Sequence, residues 1–299
     1  MNGKTRPVLA IMAAASLWGF IGLFSYILMF YGFSPVQVIA VRTIAGALFM
    51  TAFLLVRSPA LLKINLLDIW MFIGTGIISV VLFNLFYLIT FSLRSLSVAV
   101  MLLYTAPVFV MLLSVLLFKE RLTKGKLLAL ASTVTGCLFL SGIITGSWQC
   151  SPEAFITGIL SGFGYALYSI FSKYALVRYD SATISVWTFY LASLPLLPFC
   201  QPDEMLSCFI YIPDTAVAAA GISILCTVMP YLLYTYGLKY VEAGYASILA
   251  MLEPVVGCLT GLLLLGETFT SAKAAGLFFI LAAIVILNSG SLFKRGNEL

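Results

Sequence analysis

The sequence predicts an all-α polytopic membrane protein of ten transmembrane helices, arranged as two inverted five-helix repeats. Three observations predict it. Of 299 residues, 62% are hydrophobic and only 9% charged, whereas soluble domains carry roughly 25% charged residues. The mean hydropathy is +1.12, and apolar stretches recur that are long enough to cross a ~30 Å hydrocarbon core as helices. Sliding the sequence over itself by 147 positions then aligns its two halves without a gap.

In order, the predicted spans are about 8–30, 35–56, 66–90, 95–118, 126–146, 154–177, 183–200, 214–238, 241–265 and 271–293. Connections are short, so residues 1–299 read as a single transmembrane domain, with repeat 1 over about 8–146 and repeat 2 over about 154–293. The opening "MNGKTRPVLAIMAAASLWGF" has the basic, apolar and small residues of a signal peptide. Its apolar run continues to Phe30 with no polar stretch after a cleavage site, so it reads as a retained first span.

Charge sets the topology. With the N-terminus inside, the cytoplasmic segments hold Lys4, Arg6, Arg57, Lys63, Lys119, Arg121, Lys124, Lys126, Lys173, Arg178, Lys239, Lys294 and Arg295. The opposite side holds Arg94 and Lys273. This asymmetry follows the positive-inside rule and puts both termini in the cytoplasm. It also accounts for the net charge of +5 without a nucleic-acid partner. Cys137, Cys226 and Cys258 fall within spans, where Cys behaves as a small apolar residue. Cys150, Cys200 and Cys208 fall near the outer side, where a disulfide between two of them is an open option. The chain contains no His, and no metal-ligand spacing occurs.

The 147-residue register holds through rare residues as well as common ones. Phe24–Ser25 meets Phe171–Ser172, Gly74 meets Gly221, and Pro107–Val108 meets Pro254–Val255; Glu120, Thr123 and Lys126 meet Glu267, Thr270 and Lys273. Five spans is an odd number, so the second copy must cross the membrane in the opposite sense. The segment "KERLTKGK" carries Lys119, Arg121, Lys124 and Lys126, while its partner "GETFTSAK" keeps only Lys273. Inverted repeats of this kind characterise secondary transporters with a binding site near the midplane.

The block from Pro107 to Thr123 ("P…KERLT") and the block from Leu252 to Thr270 ("LEP…GETFT") resemble the drug/metabolite transporter superfamily in its EamA-like branch. "WGFIGLFS", "VRTIAGALF" and "YGLKYVEAGYASIL" extend the resemblance over essentially the whole chain. One departure is the start of span 4, "SLRSLSVAVMLLYTAP", which reads two residues shorter than its counterpart. The resemblance implies an alternating-access carrier in the inner membrane, often an exporter of amino acids or related metabolites.

Glu253 stands out among the site candidates. A carboxylate at the bilayer centre costs about 2.5–3.5 kcal/mol on insertion scales, and the repeat places Ala106 at the equivalent position, so the helix does not require it. Pro254 frees a carbonyl one turn earlier, around Ala250. Glu253 either binds a substrate amine, carries a proton in exchange for substrate, or bonds across helices and pairs with Arg42. Arg42 is the basic residue deepest in a span and suits a substrate carboxylate, or else locks two helices together. Trp18 and its repeat partner Tyr165 offer aromatic walls beside Gly19, Gly162 and Gly164. Asn84, Tyr87, Tyr104 and Tyr234 add buried polar groups that line a cavity or join helices. Gly158-x-x-x-Gly162 and Gly257-x-x-x-Gly261 match close helix packing, and Lys173 reads as snorkelling to the interface.

No catalytic constellation, nucleotide fingerprint, cofactor motif or metal site competes with this reading. The expected function is a secondary active transporter of a small organic solute, with lipid as its surroundings and proton coupling as one of the roles open to Glu253. Alternatives are a nucleotide-sugar or phosphorylated-sugar exchanger, an intramembrane enzyme, or a channel.

Overall fold

A computed structural model describes residues 5–93, 96–141, 151–266 and 268–296, with the side chains of 96–97 and 290–296 outside it. Cys150, Trp148, Glu267 and the start of span 4 at Arg94–Ser95 therefore lie outside the described residues. Among the described residues every regular element is helical.

The α-helices are α1 (Thr5–Trp18), α2 (Ile21–Phe30), α3 (Pro35–Arg57), α4 (Ile69–Ile73), α5 (Leu82–Leu93), α6 (Leu96–Leu103), α7 (Ala106–Phe118) and α8 (Lys124–Leu140). They continue as α9 (Pro152–Ala175), α10 (Ser181–Ser193), α11 (Pro202–Tyr211), α12 (Pro213–Ala220), α13 (Met229–Tyr240), α14 (Ala243–Ala250), α15 (Leu252–Leu264) and α16 (Ser271–Gly296). Nine continuous helical stretches among the described residues are long and apolar enough to cross a bilayer. α8 spans 17 residues and lies along α16.

Local chemistry explains where these helices start. Ser34 and Gln37 form a reciprocal capping box with Pro35 in the first turn of α3, satisfying amides that a helix start otherwise leaves unpaired. Thr123, Ser151 and Asp180 cap α8, α9 and α10 through their side-chain oxygens. α11 departs from the expectation of short plain connections. Pro202 opens it, Asp203 and Glu204 occupy its first turn, and both features favour a helix N-terminus. The Phe209 ring of α11 stacks on Phe33 at 5.5 Å.

Backbone events recur at the 147-residue spacing. Gly74–Val81 and Gly221–Val228 are both π-helical, a wide turn that is rare and concentrates at functional sites. Lys119 and Gly266 both take left-handed conformations, at φ 55° and 69°. Lys126 donates to the Arg121 carbonyl and Lys273 to the Thr268 carbonyl, each at 3.0 Å. The helix breaks between α6 and α7 around Tyr104, and between α14 and α15 at Met251.

Contacts also exchange between the halves. A methyl added to Gly74 would lie 2.3 Å from the Phe171 ring, and one added to Gly221 would lie 2.4 Å from the Phe24 ring. Residue and partner thus swap halves. α8 and α16 pack closely because Gly136 and Gly276 bring the backbones together, a Cβ on either falling 2.9 Å from the other's carbonyl oxygen. Leu48, Leu116, Leu263 and Phe278 are exposed, forming an apolar outer surface suited to lipid.

Candidate functional site

Glu253 sits in the first turn of α15, immediately after the break at Met251. A half-helix N-terminus presents unpaired amides and the positive end of the helix dipole, so negative charge is favoured there. The Tyr165 hydroxyl of α9 donates to Glu253 Oε2 at 2.9 Å. Gly19 holds this turn in place. It ends α1 against Val256 and the backbone nitrogen of Gly257, with no room for a Cβ.

Tyr87, Tyr104 and Tyr231 lie near enough to feel the charge of Glu253. Arg42 is also close enough for its charge to act on the carboxyl, yet the two form no direct ion pair. The ion pairs among the described residues are Lys126–Glu120, Lys126–Glu242 and Arg178–Asp68. Arg42 instead donates from Nε to the Thr227 hydroxyl at 3.1 Å. The Thr227 hydroxyl in turn donates to the Ile222 carbonyl, five residues back in the π-helical turn. With Nε committed, the two terminal amino groups of the guanidinium have no protein partner among the described residues.

Glu253, Arg42, Tyr87, Tyr104 and Tyr165 are all half-buried, so each keeps some accessible surface. One turn further along α9, toward the end of the molecule that carries Lys126, aromatic rings pack closely together. Trp18 packs against Tyr231 and Tyr234 at 5.6 and 5.3 Å, and Tyr168 lies 4.9 Å from Tyr231. All four rings are at most 7% exposed. They form an aromatic floor.

For two site candidates the contacts favour the packing alternative. Trp18 packs on its ring neighbours. The Tyr234 hydroxyl bonds Ser169 at 2.7 Å, joining α9 to α13, so it is committed to helix packing. Gly19, Gly162 and Gly164 accommodate Val256, Thr105 and Phe83 respectively, so their missing side chains make room for neighbouring helices. Asn84 is half-buried, and its amide donates to the Val80 carbonyl at 2.7 Å, which satisfies part of the neighbouring π turn. Lys173 does not snorkel. It donates to the carbonyls of Leu238 and Val241.

A profile of the EamA-like transporter family matches residues 5–142 and again 153–289. The chain belongs to the EamA-like transporter family. An uncharacterized transporter of Archaeoglobus fulgidus is 33% identical over 205 residues, covering 67% of this chain and 70% of the relative. The uncharacterized inner membrane transporter YicL of Salmonella typhimurium is 24% identical, with 97% and 98% of the two chains covered. A probable amino-acid metabolite efflux pump of Salmonella typhimurium is 26% identical over 62% of this chain and 65% of the relative. The same fold occurs in a crystal structure that superposes with a TM-score of 0.80 at 17% identity, covering 99% of this chain and 100% of that one.

Sequence reasoning about this EamA-like transporter singled out Tyr231, the repeat partner of Asn84, but passed over Thr227, the Arg42 partner, which sits on the second π segment. Nothing in its local pattern marks a π turn, but the 147-residue match of Gly221 to Gly74 points to a shared backbone feature there. Among the described residues, no cluster of His, Cys, Asp or Glu is arranged to hold a metal ion. Cys200 and Cys208 are not bridged to each other; pairing with Cys150 lies outside the described residues.

Proposed function

We propose that the chain is a ten-span inner-membrane carrier that exports a small organic solute, an amino acid or related metabolite, by alternating access. Both termini lie in the cytoplasm, and two inverted five-helix units enclose the site. What supports the reading is Glu253 at a half-helix N-terminus together with Arg42, whose charge acts on it and whose terminal donors have no protein partner among the described residues. A zwitterion suits such a pair. Its carboxylate takes the Arg42 fork and its amine takes Glu253, with the open hydroxyls of Tyr87 and Tyr104 completing the shell. The exchange of contacts between Gly74–Phe171 and Gly221–Phe24 supports inverted units that rock against each other. The basic residues gathered at one end support the topology, and the Salmonella efflux pump supports the solute class.

Counterflow in proteoliposomes tests this reading, using pooled amino acids and amines with and without an imposed pH gradient. Saturable exchange of at least one amino acid is expected; absence of exchange with the whole pool counts against the solute class. Arg42→Lys gives a sharper test. An ammonium keeps the charge but loses the bond to Thr227 and the planar two-donor geometry. Apparent affinity for the transported amino acid is expected to fall about tenfold, the scale of one charge-assisted hydrogen bond. The matching amine without a carboxylate should be much less affected. Competition assays measure both, and equal losses would remove Arg42 as the carboxylate site.

A further inference from the structure

The two-residue connector Val241–Glu242, between α13 and α14, is gripped from both sides by charged groups. Its own N-cap residue, Glu242, makes no side-chain cap. The cap comes from the other half of the chain. Glu120 accepts from the amide of Ala243 at 2.7 Å and from that of Gly244 at 3.2 Å. Lys126 stands 3.9 Å from Glu120, with side-chain exposures of 8% and 7%, and also bonds Glu242. On the other side, Lys173 donates to the Leu238 carbonyl at 2.9 Å and to the Val241 carbonyl. An anion thus meets the N-terminus of α14 while a cation meets the C-terminus of α13, each matching the local helix dipole.

This clamp lies directly below the site. α14 has eight residues, about 12 Å of rigid helix, and it ends at the Met251 break beside Glu253. The aromatic floor lies between clamp and site. Any opening of the site toward this end must therefore part α14 from the α7–α8 corner that supplies Glu120.

We propose that Glu120, supported by Lys126 and Lys173, is the latch that holds the Lys126 end of the transport path shut. Access from that end requires the carboxylate to release the N-terminus of α14. The inference rests on the alternating-access reading above. It adds which contact is broken and couples that release to the turn that carries Glu253.

Spin labels at Leu122 and Tyr240, both exposed and on opposite sides of the clamp, measure the gap in a chain whose native cysteines are replaced. A second pair at Leu93 and Leu264 reports the opposite end. Wild type should give a predominantly short distance across the clamp. Glu120→Gln keeps the shape but removes one acceptor and the charge. It should raise the ratio of long to short distances about tenfold, the scale of one charge-assisted hydrogen bond. Glu242→Gln leaves the cap intact and should resemble wild type. Hydrogen exchange in the peptide containing Ala243 and Gly244 should accelerate in Glu120→Gln alone, which provides a readout in the cysteine-containing protein. If Glu120→Gln does not fold, Glu120→Asp retracts the carboxylate by one methylene and should shift both readouts in the same direction. Two distance populations whose ratio Glu120→Gln leaves unchanged overturn the latch only. A single distance at both ends, with and without saturating solute, overturns alternating access itself.

Discussion

Glu253→Gln is expected to lower gradient-driven transport at least a hundredfold in proteoliposomes. Gln fills the same volume and can still accept from Tyr165. It cannot carry a formal charge or bind and release a proton, so the effect isolates those properties. The two roles open to Glu253 then give different residual activities. If Glu253 carries a proton, Glu253→Gln keeps solute counterflow while losing acceleration by a pH gradient. If Glu253 holds the substrate amine, counterflow falls as well, and solutes without an amine are spared. Wild-type counterflow together with wild-type gradient response would remove Glu253 from the mechanism. Tyr165→Phe deletes the 2.9 Å hydrogen bond and leaves the ring, so a smaller loss of about tenfold is expected, as for a bond to a charged group.

Gly162→Leu is expected to give no folded protein, and Gly162→Ala a protein with a clearly lowered melting temperature in detergent. A Cβ at Gly162 would fall 2.4 Å from Thr105 Oγ1, 2.7 Å from the Leu102 carbonyl oxygen and 3.1 Å from that of Leu103. Two of these atoms are backbone at the end of α6, so no side-chain rotation relieves the clash. The break around Tyr104 must shift, at a cost of about 1–3 kcal/mol for the methyl alone and more for Leu. Gly257→Ala is the control. Its nearest neighbour is the Gly19 carbonyl oxygen at 3.6 Å, an ordinary contact, and the melting temperature should barely move. Equal destabilisation by both alanines would refute the packing argument. The two small-x-x-x-small motifs look alike in the sequence, yet only Gly158–Gly162 is pressed against a neighbouring helix at both of its glycines.

Much of the fold was legible because apolar length and Pro, Ser and Thr punctuation act locally. The predicted spans agree with the observed ones to within a few residues at most ends, and the capped helices begin beside the residues that cap them. α11 was missed although Pro202, Asp203 and Glu204 are helix-start residues, because its ten residues lie between two long apolar spans and carry too short an apolar period of their own. The π segments were missed for a different reason. No local pattern marks a widened turn, and the rings that pack against Gly74 and Gly221, where the π segments begin, come from the other half of the chain.

Among the site candidates, Glu253, Arg42, Tyr87 and Tyr104 stood out in the sequence because a polar group deep in an apolar span is expensive and so conspicuous, and Tyr165 because it repeats Trp18 at mid-helix. Depth could not say which way each side chain points. Trp18 and Tyr165 occupy equivalent places in the two repeats, yet Trp18 meets Tyr231 and Tyr234 while Tyr165 meets Glu253. The repeats differ at Ala106 and Glu253 and again at Asn84 and Tyr231, so equivalent aromatics meet different neighbours.

By itself, the amino-acid sequence determined the solvent, the spans and the doubling, because hydrophobic length, charge asymmetry and a fixed register are properties of the chain in one dimension. Only the tertiary structure decided that Arg42 leans on Thr227 rather than on Glu253. It alone brought Glu120 onto the start of α14 and turned Lys173 onto two carbonyls. Each of those contacts joins separate spans, and its partner depends on how the helices rotate as they pack.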